Sequence, residues 1–153
     1  MSREYLQLLK EEMKLLVGAM TALKHSYDAC TIIGIKDTYG LEELERFEAL
    51  SSRFARASDI FIQKILRLIE EIDLESPGTV RDRINRAEKK GIIDAAEDLI
   101  TIRNLRNDIA HEYMPEVIKE IFKSVLAQCP YLFKCLDSLK QYCQKYQSEM
   151  KDE

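Results

Sequence analysis

Apolar residues recur at three- and four-residue steps through most of the chain, which is the spacing of one face of an α-helix. The first such stretch runs from Ser2 to about Thr31, and the second runs from Leu41 to about Asp73. Two glycines in the segment between them break the period, so the chain turns there. The pattern therefore predicts two long amphipathic helices in the first half of the chain.

The turn signals that follow the second helix predict a short third helix. Residues 76–78, with the sequence Ser-Pro-Gly, form the strongest turn signal in the chain, because proline fixes φ and glycine accepts positive φ. Thr79 can then cap a helix from Val80 to about Lys90, and Gly91 stops it.

A fourth helix is predicted from Asp94 to about Tyr113, and a fifth from Glu116 onward. Pro115 marks the boundary between them, because proline ends one helix and suits the first turn of the next. Pro130 removes a backbone donor within the fifth helix, so we expect a kink or a split there. Four long helices and one short one, joined by short connections, predict an all-α, antiparallel up-and-down bundle.

Length and composition fit one domain, residues 1–153. Only 5 glycines and 3 prolines are present, which favours long helices over many short strands. The amino terminus is charged from Arg3 onward, unlike a secretory signal, and no apolar run approaches the roughly 20 residues that span a bilayer. We therefore expect a cytoplasmic protein with no membrane contact.

The formal net charge of -4 argues against a uniformly basic surface for nucleic acid. Any RNA contact must be a local patch, and the third helix is the candidate because its basic residues outnumber Asp82 and Glu88. These weak RNA-binding candidates are Arg81, Arg83, Arg86, Lys89 and Lys90. The alternative is that they are simply solvated or paired. The same two interpretations apply to the cations of the second helix, which are Arg46, Arg53, Arg56, Lys64 and Arg67.

The cysteines and histidines form no metal-binding pattern. No C-x2-C pair occurs among Cys30, Cys129, Cys135 and Cys143, and neither histidine lies at zinc-finger spacing from them. Free cysteines in a reducing compartment are usually buried. We therefore predict buried thiols, no metal and no cofactor.

Side chains suited to phosphate chemistry concentrate at the end of the fourth helix. At about 100° per residue, Arg103, Asn107 and His111 share one helical face, and Arg106 lies on its flank. Arginine grips phosphate oxygens, and histidine can take or give a proton near neutral pH. Metal-free RNA cleavage needs such a base, an acid and a cation. A lone histidine at a helix end often serves only for capping, and we assign His25 to structure.

The residues from Arg106 to Tyr113 read RNDIAHEY. This R-x4-H-x-Y spacing resembles the signature of HEPN domains, especially the HepT toxin branch. The resemblance implies a homodimeric, metal-independent endoribonuclease with Arg106 and His111 as catalytic residues and Arg103 and Asn107 in support. In that family a small partner nucleotidyltransferase, the antitoxin MntA, silences the toxin by attaching AMP to the motif tyrosine, which implies that Tyr113 is the acceptor.

Residues 45–54 are similar to the second-helix region of a sister group, the substrate-binding partners of minimal nucleotidyltransferases. With the motif, the resemblance spans roughly residues 41–113. It leaves a second hypothesis open, namely a non-catalytic subunit that presents nucleotide or substrate to a nucleotidyltransferase. A third is a plain helical dimerisation module, which leaves the grouping of Arg, Asn, His and Tyr unexplained.

Overall fold

The computed structural model describes residues 3–151, with side chains up to residue 147, and this part of the chain is all-helical. The elements in chain order are α1 (Arg3–Ile33), α2 (Leu41–Asp59), a π-helical segment (Ile60–Ile65), α3 (Leu66–Ile72), α4 (Val80–Lys89), α5 (Ala96–His111) and α6 (Pro115–Lys151). The predicted second helix is the unbroken run of α2, the π-helical segment and α3. Ser2, the predicted start of the first helix, lies outside the described residues. The all-α fold class is confirmed for the described part.

α4 begins and ends as its sequence predicts. The Thr79 hydroxyl accepts the Asp82 N–H at 3.1 Å, and the Asp82 carboxylate accepts the Thr79 N–H at 2.9 Å. This reciprocal capping box satisfies two backbone donors that the first helical turn leaves unpaired. Gly91 ends the helix with a φ of 77°, in the left-handed region that glycine adopts most easily.

The end of α3 has the same backbone geometry as the end of α4, but with leucine where α4 has glycine. Leu74 has a φ of 58°, and the N–H of Glu75 donates to the carbonyl of Glu70 at 2.9 Å. Beyond α4, the N–H of Ile92 donates to the carbonyl of Ala87, also at 2.9 Å. Both ends are Schellman motifs, in which the left-handed position is usually glycine. Leu74 therefore carries backbone strain that Gly91 avoids.

Two helix boundaries differ from their predictions. α5 ends at His111, so Tyr113 lies in the link to α6. The helix stops there because Glu112 adopts an extended conformation and Met114 precedes a proline, which disfavours helical backbone. α6 continues through Pro130, so the helix is not split there, and the alternative of a kink stays a prediction. Buried side chains on both sides of that proline hold the two halves against the core, namely Val125, Cys129 and Leu132.

The core lies among α1, α2, α3 and α6, and α5 packs against α2 and α6. An aromatic cluster joins α2, α6 and the link before α2: the rings of Phe47 and Phe122 stack with centroids 5.1 Å apart, and the ring of Tyr39 lies 5.0 Å from that of Phe47. Burying such a ring contributes roughly 2 kcal/mol. Among the described helices, none has both the length and the apolar character needed to cross a membrane.

The prediction of buried thiols is confirmed for three of the four cysteines. Cys30, Cys129 and Cys135 are buried, and Cys143 is half-buried. Burial raises the pKa of the Cys129 and Cys135 thiols to about 12. Since the thiolate is the reactive form, these side chains act as apolar core residues.

Candidate functional site

The polar face of α5 lines a surface pocket, here called the His111 pocket, with a volume of about 300 Å³. Residues one turn apart on a helix point to the same side, so all four predicted site residues of α5 line it. They are Arg103, Arg106, Asn107 and His111. The facing wall comes from the end of α2 and the π-helical segment, with Ser58, Asp59, Ile62 and Gln63. The pocket thus combines two guanidinium groups, two amides, a carboxylate and an imidazole.

Arg106 is held by a carboxylate from the facing wall. Its Nε donates to Oδ1 of Asp59 at 2.7 Å, and its Nη2 donates to Oδ2 at 2.9 Å. This is the bidentate geometry that makes arginine–carboxylate pairs strong and directional. The hydrogen bonds that Arg106 donates to Asp59 raise the pKa of its guanidinium, although partial burial acts in the opposite direction. Nη1 has no hydrogen-bond partner among the described residues, so it is available to a ligand.

The pair between Arg106 and Asp59 orients the guanidinium more than it stabilises the fold. The Arg106 side chain is 29% exposed and the Asp59 side chain 43% exposed. Solvent therefore screens their attraction, and such pairs contribute at most about 1 kcal/mol. Two hydrogen bonds in one plane nevertheless fix the direction of the remaining N–H groups.

A change in helix type occurs directly after Asp59. The π-helical segment begins at Ile60, and the N–H of Leu66 at its end donates to the carbonyl of Phe61, five residues earlier. A π-helical turn takes more residues than an α-helical turn and often occurs at functional sites. Asp59 on one side of the junction and Gln63 within the segment both line the His111 pocket.

His111 is the last residue of α5, and its side chain is exposed. The N–H of Glu112 donates to the carbonyl of Asp108 at 2.9 Å and closes the last helical turn. The carbonyl end of a helix favours a positively charged imidazole nearby. No hydrogen bond or ion pair engages the imidazole within the described part of the chain. The imidazole is therefore accessible to a ligand.

Tyr113 is not one of the residues that line the His111 pocket. It is 82% exposed and lies in the link between α5 and α6. The Glu112 carboxylate accepts the N–H groups of both Tyr113 and Met114, at 3.0 and 2.9 Å. The hydroxyl is therefore accessible to a second protein, two residues along the chain from His111.

Three of the five basic residues proposed for RNA binding on α4 are paired within the chain. Nε of Arg83 donates to Glu70 at 2.6 Å, and Nη1 of Arg86 donates to the other oxygen of Glu70 at 2.8 Å. Lys90 pairs with Asp73 at 2.7 Å. Glu70 is buried, so Arg83 and Arg86 compensate a charge that the interior would otherwise disfavour.

The two remaining cations of α4 are exposed. Arg81 approaches Glu97 at 3.8 Å, and both side chains are well solvated. Lys89 has no ion-pair partner among the described residues. Neither lines the His111 pocket, so an RNA contact by α4 stays a prediction and would extend beyond the pocket.

Sequence reasoning missed Asp59 and Gln63 as site residues. Asp59 was placed on the second helix without a role, yet it is the only acidic residue between Glu48 and Glu70. A single carboxylate within a basic stretch of helix is a signal that could have marked it as a candidate site residue. The π-helical geometry that presents it has no signature in the hydrophobic pattern.

The described residues include no group of three or more His, Cys, Asp or Glu side chains placed to share a metal ion. Comparisons of the chain with protein-family models, with curated proteins and with solved structures found no match. Function must therefore be inferred from the pocket and from the motif residues Arg106 and His111 that line it.

Proposed function

We propose that the protein is a HEPN-type toxin of the HepT kind, a metal-independent endoribonuclease that acts as a homodimer. The proposal includes an antiparallel up-and-down arrangement of the helices. One observation carries it: Arg103, Arg106, Asn107 and His111 line a single polar pocket, and Arg106 is oriented by Asp59. A helix that served packing alone would not need this group of side chains on its exposed face.

The proposed reaction is attack of a ribose 2′-hydroxyl on the adjacent phosphorus. His111 takes the proton of the hydroxyl as the new O–P bond forms, and the bond to the 5′-oxygen breaks. The products are a 2′,3′-cyclic phosphate and a 5′-hydroxyl end. Arg106 stabilises the charge that develops on the phosphorane, through the N–H groups that Asp59 leaves unengaged. Arg103 and Asn107 hold the phosphate or orient the imidazole.

A single imidazole cannot act as base and acid in the same step, because the 5′-oxygen needs a proton while the 2′-hydroxyl loses one. A two-fold dimer would supply a second His111 across a shared groove. The exposure of His111 is compatible with such an arrangement. In the dimer, Arg81 and Lys89 would flank the groove and attract RNA, and a dimer that leaves the two histidines apart would contradict this part of the proposal.

We propose that a partner nucleotidyltransferase resembling MntA silences the toxin by AMPylating Tyr113. The exposed hydroxyl supports this, because a second enzyme must reach it. An added nucleotide carries negative charge, so next to His111 and Arg106 it would compete with the substrate phosphate.

The chain supplies matched controls for a test of both steps. His111→Ala should abolish growth arrest and cleavage of purified cellular RNA, whereas His25→Ala should leave both unchanged; His25 is the other histidine and is also exposed. Tyr113→Phe should stay toxic when an MntA-like nucleotidyltransferase is co-expressed, and Tyr131→Phe should be silenced normally. Cleavage by the His111→Ala dimer at the wild-type rate would refute the nuclease.

The alternative is a non-catalytic subunit that binds nucleotide or substrate for a nucleotidyltransferase. It would use the same pocket, and the pairing of Arg106 with Asp59 is equally suited to holding a phosphate without breaking a bond. A purified protein that binds nucleotide, cuts no cellular RNA and leaves growth unaffected would favour it.

A further inference from the structure

A second and larger groove adjoins the His111 pocket. This cavity, here called the Ile60 groove, has a volume of about 810 Å³. It shares Asp59, Gln63 and Arg106 with the His111 pocket. The Arg106 guanidinium therefore stands on the boundary, and a ligand bound to it can extend into both cavities.

The Ile60 groove combines apolar and charged side chains. Ile60, Ile109 and Ile118 are half-buried and give it an apolar part. Arg56 and Lys64, from α2 and the π-helical segment, are exposed residues of the groove, as is Glu48. Sites for small ligands combine apolar walls with a few polar groups in this way, and usually measure roughly 300–1,000 Å³.

Several polar groups of this groove have no partner among the described residues. Ser51 lines the groove and is only 7% exposed, yet its hydroxyl makes no hydrogen bond. A buried hydroxyl in that state costs about 1–3 kcal/mol. Arg56 and Lys64 also have no ion-pair partner within the described part of the chain. These groups could be satisfied by a ligand that carries hydrogen-bonding groups and negative charge.

We propose that the Ile60 groove is a subsite for one nucleotide of single-stranded RNA next to the scissile phosphate. This rests on the proposed nuclease function. The scissile phosphate and its ribose occupy the polar His111 pocket, and the neighbouring base packs against Ile60 and Ile118. Lys64 contacts the next phosphate along the strand. The base must be unstacked to enter an apolar groove, which selects single-stranded over duplex RNA.

Methyl NMR with the four ribonucleoside 5′-monophosphates tests the subsite without any cleavage. We expect the methyl resonances of Ile60 and Ile118 to shift with nucleotide and to stay unchanged with inorganic phosphate. Ser52→Trp should abolish these shifts, because Ser52 is an exposed groove residue on α2. Ser124→Trp is the matched control, an exposed serine on α6 that lines neither cavity.

Salt dependence tests the phosphate contact of Lys64. The probe is a short single-stranded oligodeoxynucleotide, which lacks the 2′-hydroxyl and so is not cleaved. Lys64→Ala should weaken binding about fivefold and reduce the slope of log K against log salt by about 0.7, the value for one phosphate contact on a single strand. Lys14→Ala, at an exposed lysine of α1, should change neither quantity.

The outcomes separate the subsite from the nuclease. Methyl shifts in the groove without RNA cleavage would show that the groove binds nucleotide, would favour the non-catalytic subunit, and would overturn the nuclease together with a subsite beside a scissile phosphate. RNA cleavage together with Ile60 and Ile118 methyl resonances that do not shift with nucleotide would overturn the subsite and leave the nuclease intact. If Ser52→Trp changes the oligomeric state in the absence of nucleotide, a second copy of the chain covers the groove, and the subsite is overturned.

Discussion

Replacing Leu74 with glycine should stabilise the protein, because the backbone at this position is strained for any residue with a side chain. Its φ is 58°, and left-handed backbone costs an L-residue roughly 1–2 kcal/mol. Glycine offsets about 0.5–1 kcal/mol of the relieved strain, because its greater conformational freedom stabilises the unfolded chain. Leu74 is 87% exposed, so little apolar burial is lost. We expect a gain of about 0.5–1 kcal/mol in the free energy of unfolding, or roughly 2 °C in Tm.

Urea unfolding followed by circular dichroism measures the difference, with equal m-values as the condition for comparing free energies. Leu74→Ala keeps the Cβ atom and should change stability by less than about 0.5 kcal/mol. Gly91→Ala is the mirror experiment, since Gly91 has a φ of 77° and an added Cβ would meet no atom within 4 Å. It should lose about 1 kcal/mol from conformation alone. A Leu74→Gly protein no more stable than Leu74→Ala would refute the strain argument.

Two further predictions concern ion pairs. Arg106→Lys removes the planar fork that Asp59 holds, so RNA cleavage should fall at least about tenfold while the free energy of unfolding changes by no more than about 1 kcal/mol; an unchanged cleavage rate would contradict this. Burial acts to raise the pKa of Asp73, but hydrogen bonds from Lys90 and two tyrosines lower it below its ordinary value. The carboxylate therefore stabilises the fold above about pH 4, and this contribution is lost as pH falls through the lowered pKa. Asp73→Asn should cost about 2 kcal/mol at pH 7, and the deficit should shrink in acid denaturation experiments below about pH 4; a constant deficit would count against the assignment.

Helix positions were predictable because local signals specify them. The apolar period of three and four residues, the Thr79 cap and the Gly91 stop each act within a few residues along the chain. Pro130 shows where local reasoning ends, since packing of its neighbours against distant helices keeps α6 continuous. A backbone preference of a few kcal/mol gives way to tertiary contacts of similar size.

Local signals also explain which part of the site could be predicted, namely the residues that lie on α5. Arg103, Arg106, Asn107 and His111 lie on one helix, so helical geometry alone brings them to one face. Asp59 lies 47 positions from Arg106 along the chain, and no local pattern links the two. On α4, by contrast, local counting of charge made basic residues look unpaired. Arg83 and Lys90 have acidic partners on or just after α3, outside the stretch in which charge was counted.

Because of the π-helical segment, the number of residues between α2 and α3 determines whether Asp59 can reach Arg106. Loss of one residue from Ile60–Ile65 would allow ordinary α-helical turns, and each residue of an α-helix accounts for about 100° of rotation. If α3 kept its position in the core, α2 would rotate about its axis and move Asp59 away from Arg106. If α2 kept its position instead, α3 would rotate and its apolar side chains would face water. A variant shortened by one residue could therefore keep either the pair between Asp59 and Arg106 or the packing of α3 in the core. Only a compensating insertion nearby would let it keep both.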